Sequence, residues 1–542
     1  MKKLYVLILL ALVYCNARAQ TYGNEWINFS SGGQYSDQQY FKIRIWKDGI
    51  YRISRIDLLN AGFNVNQNPQ HFQVFHNGIE QFIYVQGESD GVFDQGDFIE
   101  FYGRKNDGAI DKSLYEDDYD QPFTYFSLIN DTGTYFLTVN TGPTPNRRMS
   151  VETDVNFSGY SNSIYFKKDA LHYIPNIYYD YSIDRFGLSL SSYTYGENYL
   201  SEPFTDNILS IAIPTPNAAS NTPSKVDLSV AGTNFRNHNY TVSVNGTNYI
   251  SDVFPYYFYR PHSFNIPQQL SATTNVELNA LANPNPNEPN AMALGFINVN
   301  YPHQLSMQGE TVGLYSLNAV ADLSNQKTFF NISNVSAASL LIYMLSGDTL
   351  TKISYVKNGS TLQFLLPTNF SDKQTLVVDS STQVYSGSAG INYKIVPVKS
   401  QTAPLGYFTN FSYNPNAEYL IITHPKLWTS ASAYKNYREN NPYNSYSCLM
   451  ADIEELYDQF AYGVRKHPLA VKGFVLNAID NFITKPRHLF LIGKSVAPLE
   501  SRMAYDDVCL VPTFGSPPSD LMLTARRTPL DTILKQIGRA HV

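Results

Sequence analysis

The sequence predicts a multidomain chain: β-rich N-terminal and middle regions, sandwich-like in pattern, followed by the opening of a parallel α/β sheet. Two observations carry this reading. Short apolar segments of period two, separated by Asn, Ser, Pro and Thr clusters, recur until about residue 400. Near residue 405 the pattern changes to continuous apolar runs alternating with helical stripes.

The first twenty residues set the compartment. Lys2 and Lys3 precede an apolar run from Leu4 to Tyr14, and Ala17-Arg18-Ala19 fits a small-x-small cleavage site. Residues 1–19 therefore read as a signal peptide, with Gln20 first in the exported chain. The run is shorter than the roughly 20 apolar residues that span a bilayer. No later segment is long and apolar enough for a transmembrane helix. Loss of Lys2, Lys3 and Arg18 takes the formal net charge from −7 to −10, an acidic balance that argues against nucleic acid, which needs clustered cations. After the leader only Cys448 and Cys509 remain, so stability must come from apolar cores rather than disulfides. With 42 Tyr and 32 Phe but only 16% charged residues, the composition suits half-buried pleated surfaces.

Residues 20–145 read as a β-rich N-terminal domain. Phe41 to Trp46 alternates, Asp48-Gly49 turns, and Ile50 to Ile53 continues, which predicts a hairpin. Phe72–Phe75 and Phe98–Tyr102 are further strands, with a turn at Asn77-Gly78. Residues 146–404 supply strands such as Ile208–Ile213, Tyr240–Val244 and Leu340–Met344, at a spacing that fits one or two sandwiches. From 405 to 536, Tyr419–Ile422 is a strand buried on both faces. Thr429 or Ser430 caps a helix with a Lys435–Glu439 pair. Asp452 and Glu455 form a capping box for a helix ending near Gly463. From Pro468 a stripe of Val471, Phe474, Val475, Ala478, Ile479 and Phe482 predicts a third helix, and Leu489–Ile492 a further strand.

Few residues here promise chemistry. Gly493-Lys494-Ser495 follows a strand, but His488 stands where a phosphate-binding loop needs its first glycine, so it reads as a strand-end turn. Asp90, Asp94 and Asp97 cluster with glycines yet miss the EF-hand spacing, and read as a solvated turn rather than a calcium site. Cys448 and Cys509 sit in apolar runs as small core residues. His424 follows the first parallel strand, where α/β active sites gather; a His424–Cys509 pair is conceivable chemistry, but a strand-end role for His424 fits better. No cofactor and no metal ligand set is expected.

The order of segments resembles gingipain-type cysteine peptidases. It comprises the strand into His424-Pro425, the Tyr434-Lys-Asn-Tyr-Arg438 helix end, the block Tyr457-Asp-Gln-Phe460-Ala-Tyr-Gly463, the helix from Pro468, Leu489-Phe-Leu-Ile-Gly493, then Val511-Pro-Thr-Phe-Gly515 and Ser519-Asp520. Trp46–Ile53 and Gly96–Gly103 are similar to the leading domain of gingipain-like sortases of type IX secretion. Lys494 departs from the family's usual acidic residue. The resemblance implies that 405–536 is the incomplete first half of a caspase-like α/β domain. It also implies a thiolate attacking a peptide carbonyl, with a histidine as general base, protein or peptide substrates, outer-membrane secretion components as partners, and a location in the periplasm, outer membrane or cell surface of a Gram-negative bacterium. The family's catalytic His and Cys fall after the segment matched by Asp520, so both are expected downstream of Val542, and this chain is expected to be inactive. Beyond Asp520 there is no cysteine and the one histidine is His541. Residues 537–542 match a translated sequencing adapter and are expected to be foreign to the protein. The alternative reading is a cell-surface β-sandwich binding protein with a degenerate peptidase domain.

Overall fold

The computed structural model describes residues 21–540 except 143–144, 164, 180–190, 221, 284, 286, 311–312, 317–326, 347–348, 368–372, 380–383, 387–392, 498–501, 503–507 and 527–535. The leader and His541 lie outside the described residues.

Two small sheets face each other in the N-terminal region. One is antiparallel, in the order Tyr393–Pro397, Phe41–Ile45, Gly133–Val139, Phe72–His76, Ile79–Glu80; the other runs Tyr385–Ser386, Gly49–Ser54, Phe98–Gly103, Tyr84–Val85. The hairpin expected across Asp48-Gly49 does not form. Phe41 pairs with Leu137, whereas Gly49 pairs with Gly103 in the opposite sheet. The chain turns a corner there, so Ile43 and Ile45 meet Tyr51 and Ile53 across one core. Splitting the two strands between sheets buries both apolar faces, which a lone hairpin cannot do. Gly49 permits the corner: a Cβ there would stand 2.6 Å from the Tyr385 ring. The predicted Asn77-Gly78 turn is present, both residues having positive φ. In the acidic turn, Asp90 and Asp97 accept the N–H groups of Val92 and Asp94 at 2.9 and 2.7 Å. Those carboxylates serve their own loop.

The middle region holds two sandwich cores on one shared ten-stranded sheet. Its central strand, Ala291–His303, pairs with Ser224–Gly232 and Phe166–Tyr173. A four-stranded sheet (Ile208–Pro214, Thr273–Ala280, Asn237–Val244, Thr247–Pro255) closes the first core over Val226, Leu228 and Ile297. A three-stranded sheet (Lys327–Ile332, Thr361–Pro367, Tyr355–Asn358) closes the second over Ile342 and Met344.

The C-terminal unit is a parallel sheet of β1 (Tyr419–Thr423), β2 (Cys448–Asp452), β3 (His488–Ile492) and β4 (Gln536–Ala540), ordered β2-β1-β3-β4. Four of the six residues read as foreign, 537–540, supply most of β4. Every β1 residue is buried. Tyr419 and Ile421 pack towards α1 (Trp428–Glu439), and Leu420 and Ile422 towards α2 (Ile453–Phe460) and α3 (Leu469–Asn481). Helices on both faces explain the unbroken apolar run. The α3 stripe is as predicted, with Val471, Phe474, Val475 and Ala478 fully buried.

Two predicted caps differ. A turn at Pro425–Leu427 precedes α1, and His424 caps that turn by accepting the Lys426 N–H, so neither Thr429 nor Ser430 is needed. Asp452 caps α2 by accepting the Glu454 N–H at 2.9 Å, but Glu455 does not complete a box. It turns to the Ser400 hydroxyl (2.5 Å) and the Thr409 N–H (2.6 Å). Cys509 is buried, in a segment that is not a strand: Leu510 and Val511 donate to the Lys494 carbonyl.

The N-terminal region grips this unit through α2. Lys42 meets Asp458 at 2.7 Å with both side chains buried, and Trp26 Nε1 donates to the Gln459 carbonyl. Gly463, in the left-handed region, donates to the Tyr457 carbonyl and closes the helix, while the Thr134 hydroxyl donates to the Gly463 carbonyl. A Cβ on Gly463 would stand 2.5 Å from Thr134. One apolar core joins Ile110, Leu114, Leu128, Tyr193 and Tyr199 to Leu420, Leu456, Phe474 and Phe514.

Candidate functional site

In the order β2-β1-β3-β4 the connection after β1 leads to β2 on one side and the connection after β3 leads to β4 on the other. This makes a topological switch point at the carboxyl ends of β1 and β3, the place where open α/β sheets bind ligands. The Thr423 hydroxyl donates to the Ile492 carbonyl at 3.0 Å and ties those two ends together.

Around this edge stand His424 after β1, Asp452 at the end of β2 with Glu454 beyond it, and Gly493 after β3. His424 Nδ1 accepts an N–H, so its proton sits on Nε2, 3.7 Å from Glu454 Oε1. Arg465 forks onto the same carboxylate, with Nε 3.1 Å from Oε2 and Nη2 2.8 Å from Oε1. Burial pushes the Asp452 carboxyl up to about 8, and the nearby Glu455, Glu454 and Asp458 add to it against the capping N–H. At Gly493 a Cβ would come within 2.8 Å of Val511 Cγ2, so glycine lets the 510–511 segment lie against the strand end. That is why Gly493-Lys494-Ser495 turns here.

The cysteines do not converge on His424. Cys448 begins β2 and so lies at the opposite, amino edge of the sheet; its Sγ donates to the Tyr446 carbonyl at 3.6 Å, and burial holds its thiol up at about 11. Cys509 is buried in a small recess with Ile129, Tyr193, Lys466 and Val496. Among the described residues neither cysteine has a histidine as hydrogen-bond partner. Sequence reasoning also missed a buried pair beside that recess. His467 Nε2 lies 3.1 Å from Asp111 Oδ1, and Asp111 also accepts the Leu128 N–H at 2.6 Å. The Leu469 N–H occupies His467 Nδ1, which leaves Nε2 as the protonated nitrogen facing Asp111. With both ring nitrogens committed, this imidazole orders the junction and offers no free base. Among the described residues, no group of three or more His, Cys, Asp or Glu stands close enough to hold a metal ion.

The segment after the recess is fixed from two sides. The Thr513 hydroxyl donates to Asp520 at 2.9 Å, and the Phe514 ring meets Tyr193 edge-on at 5.1 Å.

Residues 412–542 match the model of peptidase family C25. That is the gingipain family, and the match bears out the resemblance read from Tyr419 onward. Among solved structures the chain is similar to dimeric latent PorU from Porphyromonas gingivalis, at 16% identity and a TM-score of 0.61. The similarity covers 93% of this chain and 48% of that one, so the chain spans about half the length of that protein. At this identity the likeness shows a shared multidomain fold. Partial overlaps also occur with the CBM36-1 domain of a xylanase from the hindgut metagenome of Trinervitermes trinervoides (10% identity, 19% of this chain and 86% of that one, TM-score 0.14). Another is with a Paenibacillus cycloisomaltooligosaccharide glucanotransferase (9% identity, 42% and 46%, TM-score 0.14). Neither carries an argument. Comparison with curated proteins gives no match.

Proposed function

We propose that this chain is the leading part of a gingipain-type cysteine peptidase that processes exported proteins, with the type IX sortase role as its specific form. The observation that carries the reading is the family match over 412–542, lying on a parallel sheet whose switch point is built and whose Tyr457–Gly463 block locks it to the β-rich region. In this reading the β-rich regions set the α/β unit in place, the substrates are proteins or peptides, and the partners are outer-membrane secretion components. The exported location rests on the leader at residues 1–19. Among the described residues, none of the catalytic Cys–His geometry is assembled: Cys448 is at the wrong edge, Cys509 is buried without a base, and His424 is engaged with Glu454. The polypeptide on its own is therefore inactive in this proposal. Disruption of the gene in its native host tests the role. Exported proteins should then accumulate with their C-terminal segments uncleaved, and normal processing in the disrupted strain would overturn the sortase reading.

A further inference from the structure

A cavity of about 180 Å³ lies where the hairpin of Phe72–His76 and Ile79–Glu80, the end of strand Phe98–Gly103, and the hairpin of Leu340–Ser346 and Thr349–Ile353 meet. Ile79, Phe82, Leu345 and Leu350 give it an apolar wall. The space is on the scale of several water molecules, and so suits a small molecule rather than a polymer.

Among the polar residues that line the same cavity are His76, Arg104 and Asp107, beside Asn77, Gln81 and Thr349. His76 Nδ1 lies 3.0 Å from the Thr134 carbonyl oxygen. A carbonyl only accepts, so Nδ1 carries the proton and Nε2 keeps a lone pair. The ring is pinned flat on Tyr135, with centroids 4.1 Å apart and planes 7° from parallel. Burial keeps it neutral by lowering its pKa to about 4. Arg104 and Asp107 carry opposite charges, yet among the described residues neither is in an ion pair. Arg104 stands over the Tyr102 ring at 5.6 Å. Asp107 is half-buried, one oxygen accepts the Ala109 N–H at 2.9 Å, and burial raises its carboxyl above the usual range. An exposed guanidinium and a half-buried carboxylate outside any ion pair, an acceptor nitrogen and an apolar wall thus line one small open cavity between regions. A carboxylate fits Arg104, an ammonium fits Asp107 and His76 Nε2, and an apolar side chain fits the wall.

We propose that this cavity binds a free α-amino acid with a large apolar side chain. The inference is independent of the peptidase reading. Titration calorimetry on residues 20–542 tests it, with L-phenylalanine and L-leucine as ligands and phenylacetate and phenethylamine as analogues that each carry one of the two charges. At least one amino acid should bind, and each singly charged analogue should bind at least about tenfold more weakly, the loss expected for one charge-assisted hydrogen bond. Arg104→Gln should weaken amino-acid binding by a similar factor and remove the preference over phenethylamine. Asp107→Asn should remove the preference over phenylacetate. Absence of binding by both amino acids would overturn the proposal, as would equal binding of the analogues. The comparison of ligands on the unaltered chain decides the matter without either variant.

Discussion

Four carboxylates lie at the cap of α2 and along it: Asp452, Glu454, Glu455 and Asp458. Each has a different solution to burial. Glu454 takes the Arg465 fork and Asp458 the Lys42 ammonium, while Glu455 accepts hydroxyl and amide donors. Asp452 has one N–H and no cation, which is why burial lifts its carboxyl to about 8. In the unfolded chain the same group ionises near its ordinary 3.8. Between those two values the folded state keeps a proton that the unfolded state has lost, so this group's contribution to stability falls as pH rises through the window. Asp452→Asn keeps a capping oxygen for the Glu454 N–H but has no charge to bury. At pH 8 it should be more stable than the parent chain by on the order of a few kcal/mol, the gap closing towards pH 4. Urea unfolding at the two pH values measures this, and an equal or lower midpoint at pH 8 would contradict it.

At the scale of elements, α2 is the hinge of the account. Its Tyr457-Asp-Gln-Phe460 stretch is fully inside the molecule, so the most specific sequence block of the C-terminal unit is a docking block. Lys42→Met leaves Asp458 buried without its cation. That should cost about 3–5 kcal/mol, and replacing both partners with apolar residues should recover much of it. Chemical denaturation of the single and double variants checks the pair. How much of this was legible follows from where each partner lies in the chain. Tyr419–Ile422 announced a strand covered on both faces, and the Val471–Phe482 stripe a helix with one, because those signals are local. The Gly49 corner was hidden, since strands flanking it alternate in the same way whether they pair with each other or with two facing sheets. Glu455 looked like half of a capping box because Ser400 and Thr409, its actual partners, are far away in the sequence. The recess around Cys509 needed Ile129 and Tyr193, and the His467 pair needed Asp111. No spacing rule reaches across such distances.

Over the whole molecule, the β-rich regions and the parallel sheet share a core, with Ile110, Leu114, Leu128, Tyr193 and Tyr199 completing the packing of Leu420, Leu456 and Phe474. Residues 405–542 made alone would expose that face, leave Asp458 without the Lys42 ammonium and take the Ser400 hydroxyl from Glu455. They should be aggregation-prone and lack a folded core, and soluble only when co-produced with residues 20–404; a sharp, dispersed amide spectrum of the isolated unit would contradict this. The most direct test of the central claim, that a gingipain-type framework is present without an assembled nucleophile, is a cleavage assay of residues 20–542 on unfolded casein with and without iodoacetamide. No thiol-dependent cleavage is expected. Cleavage that iodoacetamide blocks and Cys509→Ala abolishes would contradict it, and would return Cys509 and His424 to the centre of the chemistry.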